Sequence, residues 1–217
     1  FTIISYVYMK KIIVFGAGEF GELILNLSKF NDIEVCAFGD DNPKNKDREI
    51  EGIPIFNTDD LIKFSLDKNI NSAICAIGNN KIRSEKYHFL EKEGFDILSI
   101  VHPKSLIDTK VEYGKNVIIE MGTAIHTCSK IGNNVFLGGD ALIGHHNIIG
   151  NHVLIGGNVS FGGSVVAEDF VSIGVGASIK PGVKIGQGAI VGVGAAVVND
   201  VPRNTTVVGV PAKPISS

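Results

Sequence analysis

The sequence predicts an α/β parallel sheet followed by a parallel β-helix of hexapeptide repeats. Three observations carry this expectation. Short apolar runs alternate with helical patterns through the first hundred residues. From Val111 a six-residue repeat runs without an insertion. Most of the 26 glycines fall after residue 113, so the two parts differ in kind. The predicted division is 9–105 for the α/β domain and 106–214 for the β-helix.

The α/β part opens on "KKIIVFGAGEFGELILNLSKF". Residues 11–15 read as a buried strand. Gly16, Gly18 and Gly21 form G-x-G-x-x-G, and Phe20, Leu23, Ile24 and Leu27 fall at helical spacing. "IEVCAF" (33–38) reads as a second strand, ending in Gly39-Asp40-Asp41. "SAICAI" (72–77) is another, followed by Gly78-Asn79-Asn80 and a helix to about residue 93. "ILSIV" (97–101) reads as the last strand. This alternation describes a Rossmann-like parallel sheet with helices packed on it.

Ligands of such sheets lie at the carboxyl ends of the strands. Glycines let the backbone approach a phosphate, and a helix start offers free N–H groups. An acidic residue just after the second strand can accept from a ribose or a base. The same glycines would also serve a tight turn with no ligand at all. The domain is about half the size of a full dinucleotide fold, which favours one nucleotide over two and speaks against an NAD-dependent enzyme.

The hexads read VEYGKN, VIIEMG, TAIHTC, SKIGNN, VFLGGD, ALIGHH, NIIGNH, VLIGGN, VSFGGS, VVAEDF, VSIGVG, ASIKPG, VKIGQG, AIVGVG, AAVVND. The third position is apolar throughout and the fourth is usually glycine. This is the hexapeptide pattern of a parallel β-helix. Positions 1 and 3 should point inward, as alternate strand residues do. Glycine at position 4 should permit a turn that a Cβ would strain. Three hexads make an 18-residue coil, and coils stack at about the 4.8 Å strand spacing. Residues 18 apart therefore stack, and His145 should lie between Thr127 and Gly163.

Three of the six histidines fall in "ALIGHHNIIGNHVLIGG", residues 141–157. A turn histidine points outward, most simply into solvent or a subunit contact. For His145 and His146 the coil above presents Gly162 and Gly163, a bare surface where a ligand could lie. A neutral imidazole suits general-base work on an amine or hydroxyl. A metal site from His126, His145 and His146 lacks a supporting carboxylate or thiol spacing, so none is expected. His88 and His102 read as structural, and His152 as a subunit contact.

The bulk numbers exclude several classes. Net charge is −3 over 217 residues, which does not favour nucleic acid or an anionic membrane. No apolar run approaches the ~20 residues of a membrane span. Cys36, Cys75 and Cys128 sit in apolar runs at wide spacing, as buried free thiols of a cytoplasmic protein would. Met9 reads as the natural start, with residues 1–8 an upstream extension.

The hexads with the ending "VVGVPAKPI" (207–215) resemble the hexapeptide-repeat acyltransferases. "FGAGEFG", "FGDD", "AIGNNKIR" and "GFDILSIVHPKSLI" narrow the resemblance to the bacterial nucleotide-sugar acetyltransferases. That family includes UDP- and dTDP-4-amino-6-deoxysugar N-acetyltransferases and the sialic acid O-acetyltransferase type. The resemblance implies a left-handed coil and a homotrimer with acetyl-CoA between neighbouring β-helices. It implies that Gly16, Gly18, Glu19, Phe20, Asp40, Asp41, Gly78, Asn79 and Lys81 hold a nucleotide-linked amino sugar. It places the base at His145, and acetyl-CoA contacts at Gly163, Gly174, Val175 and Val193.

The implied reaction is acetylation of the C4 amine of a dTDP- or UDP-linked 4-amino-4,6-dideoxysugar, for cell-surface glycan biosynthesis. Sugar or sialic acid O-acetylation and a non-catalytic nucleotide-binding trimeric scaffold are the alternatives. Two positions depart from the family pattern. Relatives often follow the base with Asp or Glu, where this chain has His146. Relatives commonly have Gly-His-Gly in the first turn, where it has Glu19-Phe20-Gly21.

Overall fold

A computed structural model describes residues 9–45 and 48–215. The extension expected at residues 1–8 lies outside the described residues. Contacts divide the chain into two units. One comprises residues up to Ile77 with His88–Leu98, and the other Gly78–Tyr87 with Ser99 onward.

The first unit is a mainly parallel sheet. Its strands are β1 (Lys10–Phe15), β2 (Ile33–Gly39), β3 (Glu49–Ile50), β4 (Ile53–Phe56), β5 (Ser72–Cys75) and β6 (Asp96–Ile97). Their order is β3-β4-β2-β1-β5-β6, with only β3 antiparallel to its neighbour. Helix α1 (Glu19–Ser28) buries Ile24 and Leu27 as its apolar spacing predicts, together with Leu25, while Phe20 and Leu23 are half-buried. Helix α2 (Thr58–Asp67) starts at Asn57, whose side-chain oxygen accepts from the Asp60 N–H at 2.9 Å. Helix α3 (Asn80–Lys92) divides between the units at Tyr87 and His88. The core holds Ile12, Ile13, Val14, Phe15, Phe38 and Ile74, each at most 2% exposed. Full burial of such a side chain contributes about 1.5–3 kcal/mol.

The run 97–101 is not one strand. Residues 96–97 pair with β5, whereas Ile100–Val101 pairs with Ile118–Ile119 in the second unit. Backbone bonding decides this: Leu98 N–H donates to Ala73, and Ile100 N–H to Val117. The two strands look continuous in sequence because Ile97 and Ile100 are both buried.

The second unit is a parallel β-helix of the left-handed hexapeptide type. Three parallel sheets run along it, and the two-residue strands pair at 18-residue intervals up to Val197, the last coil being 16 residues long. Coiling starts before the hexads, at Ile100–Val101 and Leu106–Ile107. Along the middle of the coil hexad positions 1 and 3 point inward as predicted, with Val153, Ile155, Val159, Phe161, Val165 and Ala167 all buried, whereas Tyr113 of the first hexad is 45% exposed. At the far end Thr206–Val208 pairs with Ile190–Val191 and, antiparallel, with Lys213–Pro214.

The expectation for position 4 is corrected. The left-handed backbone falls at position 6, for example Asn134 (φ 58°), His146 (φ 59°), His152 (φ 59°) and Ser164 (φ 60°). The position-4 glycines are needed for close approach instead. A Cβ on Gly144 would lie 2.7 Å from the Gly162 carbonyl oxygen of the next coil.

Candidate active site

The expected site residues fall into three places. The first is the carboxyl edge of the sheet. The chain leaves β1 toward β2 on one side, while β5 lies on the other, so β1/β5 is a topological switch point. Gly16 has φ 117°, and a Cβ there would collide with the Ala76 carbonyl at the end of β5. Gly21 is required too, because a Cβ would strike the Gly16 carbonyl. Gly18 differs. Its backbone is extended, and a Cβ would meet nothing within 4 Å. Packing accounts for two of the three glycines, and Gly18 faces open space. Glu19 is exposed and Phe20 half-buried beside it.

Asp40 ties this turn to the end of β2. Its carboxylate accepts from the Ala17 N–H (3.3 Å), the Asn42 N–H (2.8 Å) and Asn45 Nδ2 (2.9 Å). Asp41 accepts from both the N–H and the hydroxyl of Thr58, at the start of α2. Both aspartates line a cavity of about 420 Å³ with Asn45, Arg48, Phe56 and Asp60.

The second place is the start of α3, grouped with the β-helix. Asn79 Oδ1 accepts from the Lys81 and Ile82 N–H groups at 3.0 and 3.1 Å, which caps the helix. The Gly78 carbonyl accepts from Arg83, and the Lys81 side chain is exposed. Asn80 Nδ2 reaches the Ser172 hydroxyl at 2.9 Å. Capping and docking thus occupy side chains that the sequence alone offers as ligand contacts.

The third place is the β-helix itself. His145 and His146 stand exposed on one corner. The His146 N–H donates to the Thr127 carbonyl and the Ser164 N–H to the His145 carbonyl, which is the predicted stacking. A methyl on Gly163 would collide with the His145 ring, so the imidazole lies across that glycine. His145 also borders a groove of about 540 Å³ with Leu106, Asp108, His126 and Thr127. The two ring Nδ1 atoms are 3.1 Å apart, with the rings nearly perpendicular at 84°. Gly174, Val175 and Val193 lie on a different corner of the coil. There the Gly194 N–H donates to the Val175 carbonyl, and Val175 and Val193 are exposed. Within one chain, Gly163 sits with His145 and the other three do not.

His152 is not at a surface. It is 6% exposed, stacked on Phe170 (4.7 Å) and edge-on to Tyr87. Its Nδ1 is 2.8 Å from Asn134 Nδ2, and its Nε2 is 3.3 Å from the Ser84 hydroxyl. The subunit contact expected there is replaced by burial within the chain's own second unit. His102 is also buried and accepts from the Lys104 N–H, and exposed His88 pairs with Glu91. Among the described residues, no group of three His, Cys, Asp or Glu side chains could hold a metal. Nor is any helix among them long and apolar enough to cross a membrane.

Comparison with known proteins agrees with this architecture. Residues 11–90 match the family model described as the PglD N-terminal domain. A variant of perosamine N-acetyltransferase from Caulobacter crescentus, solved with CoA and GDP-perosamine, superposes with a TM-score of 0.90. It is 25% identical over 95% of this chain and 97% of its own. The acetyltransferase domain of PglB from Neisseria gonorrhoeae, solved with acetyl coenzyme A, gives 0.87 at 25% identity, covering 95% and 100%. WeeI from Acinetobacter baumannii gives 0.85 at 30% identity, covering 94% of this chain and 99% of its own. The chain belongs to the bacterial nucleotide-sugar acetyltransferases.

As a member of that family it is an acyltransferase. One buried polar residue of this acetyltransferase is not among the expected site residues. Asn147 follows the histidine pair at an inward position and is fully buried among aliphatic side chains. Its Nδ2 donates to the Gly144 carbonyl (2.7 Å), and its Oδ1 accepts from the Val165 N–H (2.7 Å). Ser129 below donates to the same Gly144 carbonyl at 2.8 Å. The signal was there: a polar residue at a hexad position that is otherwise mostly aliphatic.

Proposed function

We propose that this protein is an acetyl-CoA-dependent N-acetyltransferase acting on the C4 amine of a nucleotide-linked 4-amino-4,6-dideoxysugar. The observation that carries the reading is His145. Its ring lies across Gly163 on an exposed corner, beside an open groove. Relatives of the same fold were solved with CoA or acetyl-CoA, and one with GDP-perosamine.

In the proposed reaction the amine attacks the thioester carbonyl. The new C–N bond forms, the C–S bond breaks, and CoA leaves as its thiol. His145 Nε2 takes the amine proton and returns it to the departing sulfur. A backbone N–H near Gly163 stabilises the oxyanion. An amine is the better nucleophile, so a base without a carboxylate neighbour suits N- over O-acetylation. The nucleotide is assigned to Gly16, Gly18, Glu19, Phe20, Asp40 and Asp41 of the first unit. Gly18 supports this, since neither its backbone angle nor its packing requires glycine.

Acetyl-CoA is assigned to Gly163 of one subunit and Gly174, Val175 and Val193 of its neighbour in a homotrimer. Both corners flank one sheet, whose outward side chains are Leu106, Ala124, Leu142, Ser160, Ser178 and Ala196. That face carries no charge, which suits packing against a copy of itself. A requirement for acetyl-CoA would suit a cytoplasmic protein.

Incubation with acetyl-CoA and a panel of UDP-, dTDP- and GDP-4-amino sugars, read by mass spectrometry, tests the reading. Addition of one acetyl group to a nucleotide-amino sugar is expected. Acetylation of free sialic acid alone would favour O-transfer, and absence of acetyl-CoA binding would favour a scaffold. His145→Ala is expected to lower turnover by about 10²–10⁴. Nucleotide binding should be little changed in that variant.

A further inference from the structure

We propose that His146 is a positioning residue that holds His145 in its Nδ1–H tautomer, and that acid inactivates this protein through either of two imidazoles rather than one. The inference rests on His145 being the base.

A bond between two Nδ1 atoms 3.1 Å apart contains one hydrogen, so one ring donates and the other accepts. Two arrangements satisfy it. In the first, His145 Nδ1–H donates to His146 Nδ1. The lone pair of His145 Nε2 is then free to take a proton. In the second, His146 donates, and His145 carries its proton on Nε2, where it cannot act as a base. Only the first is competent. A proton added to His146 Nδ1 makes that ring the donor, so His145 accepts at Nδ1 and carries its hydrogen on Nε2, the incompetent arrangement. A proton added to His145 Nε2 occupies the base directly. A carboxylate at position 146 would accept from His145 without this second route.

The pair is held by the coil. His146 takes the left-handed conformation of its corner (φ 59°), and its N–H is bonded to Thr127. Asn147, buried directly behind, bonds the Gly144 carbonyl on one side and the Val165 N–H on the other. The ionisable groups on the same corner of neighbouring coils are Asp108, Lys110, His126, Cys128 and Lys180. Their charges act on wild type and variants alike, so substitutions at 146 isolate its own proton.

The test compares the acid limb of kcat/KM in wild type, His146→Asn and His146→Ala. Asparagine offers an oxygen acceptor that does not titrate in this range. The substrate amine titrates in all three proteins and cancels in the comparison. His146→Asn is expected to keep plateau kcat/KM within about threefold and to shed one proton from the acid limb. His146→Ala is expected to lose about tenfold at the plateau, the low end of what a lost orienting contact costs. Nitrogen-15 NMR of the imidazoles provides a reading independent of turnover. His145 should be the Nδ1–H tautomer in wild type and lose that preference in His146→Ala. An unchanged acid limb in His146→Asn, or an Nε2–H tautomer for His145 in wild type, overturns the proposal. An unimpaired His145→Ala variant instead overturns the base assignment on which it rests.

Discussion

At Gly163 the coil makes room for an imidazole. Its φ is not in the left-handed region, so the backbone tolerates alanine, but a methyl would occupy the space of the His145 ring. Gly163→Ala is expected to displace the ring and lower kcat/KM by about 10², as misplacement of a reacting group does. The melting temperature should change little, and a steady-state assay beside a thermal scan checks both. His152 presents the opposite case. It lies inside a packed, hydrogen-bonded site with Asn134, Phe170, Tyr87 and Ser84. His152→Ala is expected to cost about 2–4 kcal/mol in urea unfolding, from the cavity and the unsatisfied amide. Its own hexad gave no hint of this. The hexad period assigned it to a corner, and corners are usually wet, but Ser84 and Tyr87 approach from α3 nearly 70 residues away in sequence.

Elements built on a period were legible, and those built on single contacts were not. The hexads fixed strand spacing, inward positions and the stacking of His145 between Thr127 and Gly163, because an aliphatic core permits no slip of register. The β3–β4 hairpin and α2 lacked such a signal, since each is short and held by local capping and edge pairing. In the site, the corner of His145 and His146 could be read from the period. The capping role of Asn79 could not, since a strand end followed by Gly-Asn-Asn looks alike with or without a ligand.

The coil corners also carry an acid-sensitive contact. The Glu168 carboxylate is held below the usual carboxylate range, first by its hydrogen bond with Lys184 and then by the Gln187 N–H. A carboxylate whose folded pKa is depressed adds stability above its unfolded pKa, and that stability fades as pH falls through the folded value. Thermal scans of Glu168→Gln are expected to show a shallower loss of melting temperature on acidification. An identical acid profile would refute the assignment.

For the whole molecule, activity and assembly should stand or fall together. Leu142 projects from the uncharged face between the two corners and is 40% exposed. If the proposed homotrimer packs through this face, Leu142→Glu is expected to yield monomer in light scattering and to abolish turnover, while circular dichroism keeps its β signature. A fully active monomer would dissociate the site from the assembly.

The regular pairing of coil on coil has one more consequence. It makes the β-helix a ruler. Displacement along its axis comes only in whole steps of about 4.8 Å, one for each coil added or removed. The span between a catalytic group and a distant contact is therefore quantised. Selection for a longer or bulkier acyl group must work through side chains, because the scaffold offers no fractional adjustment.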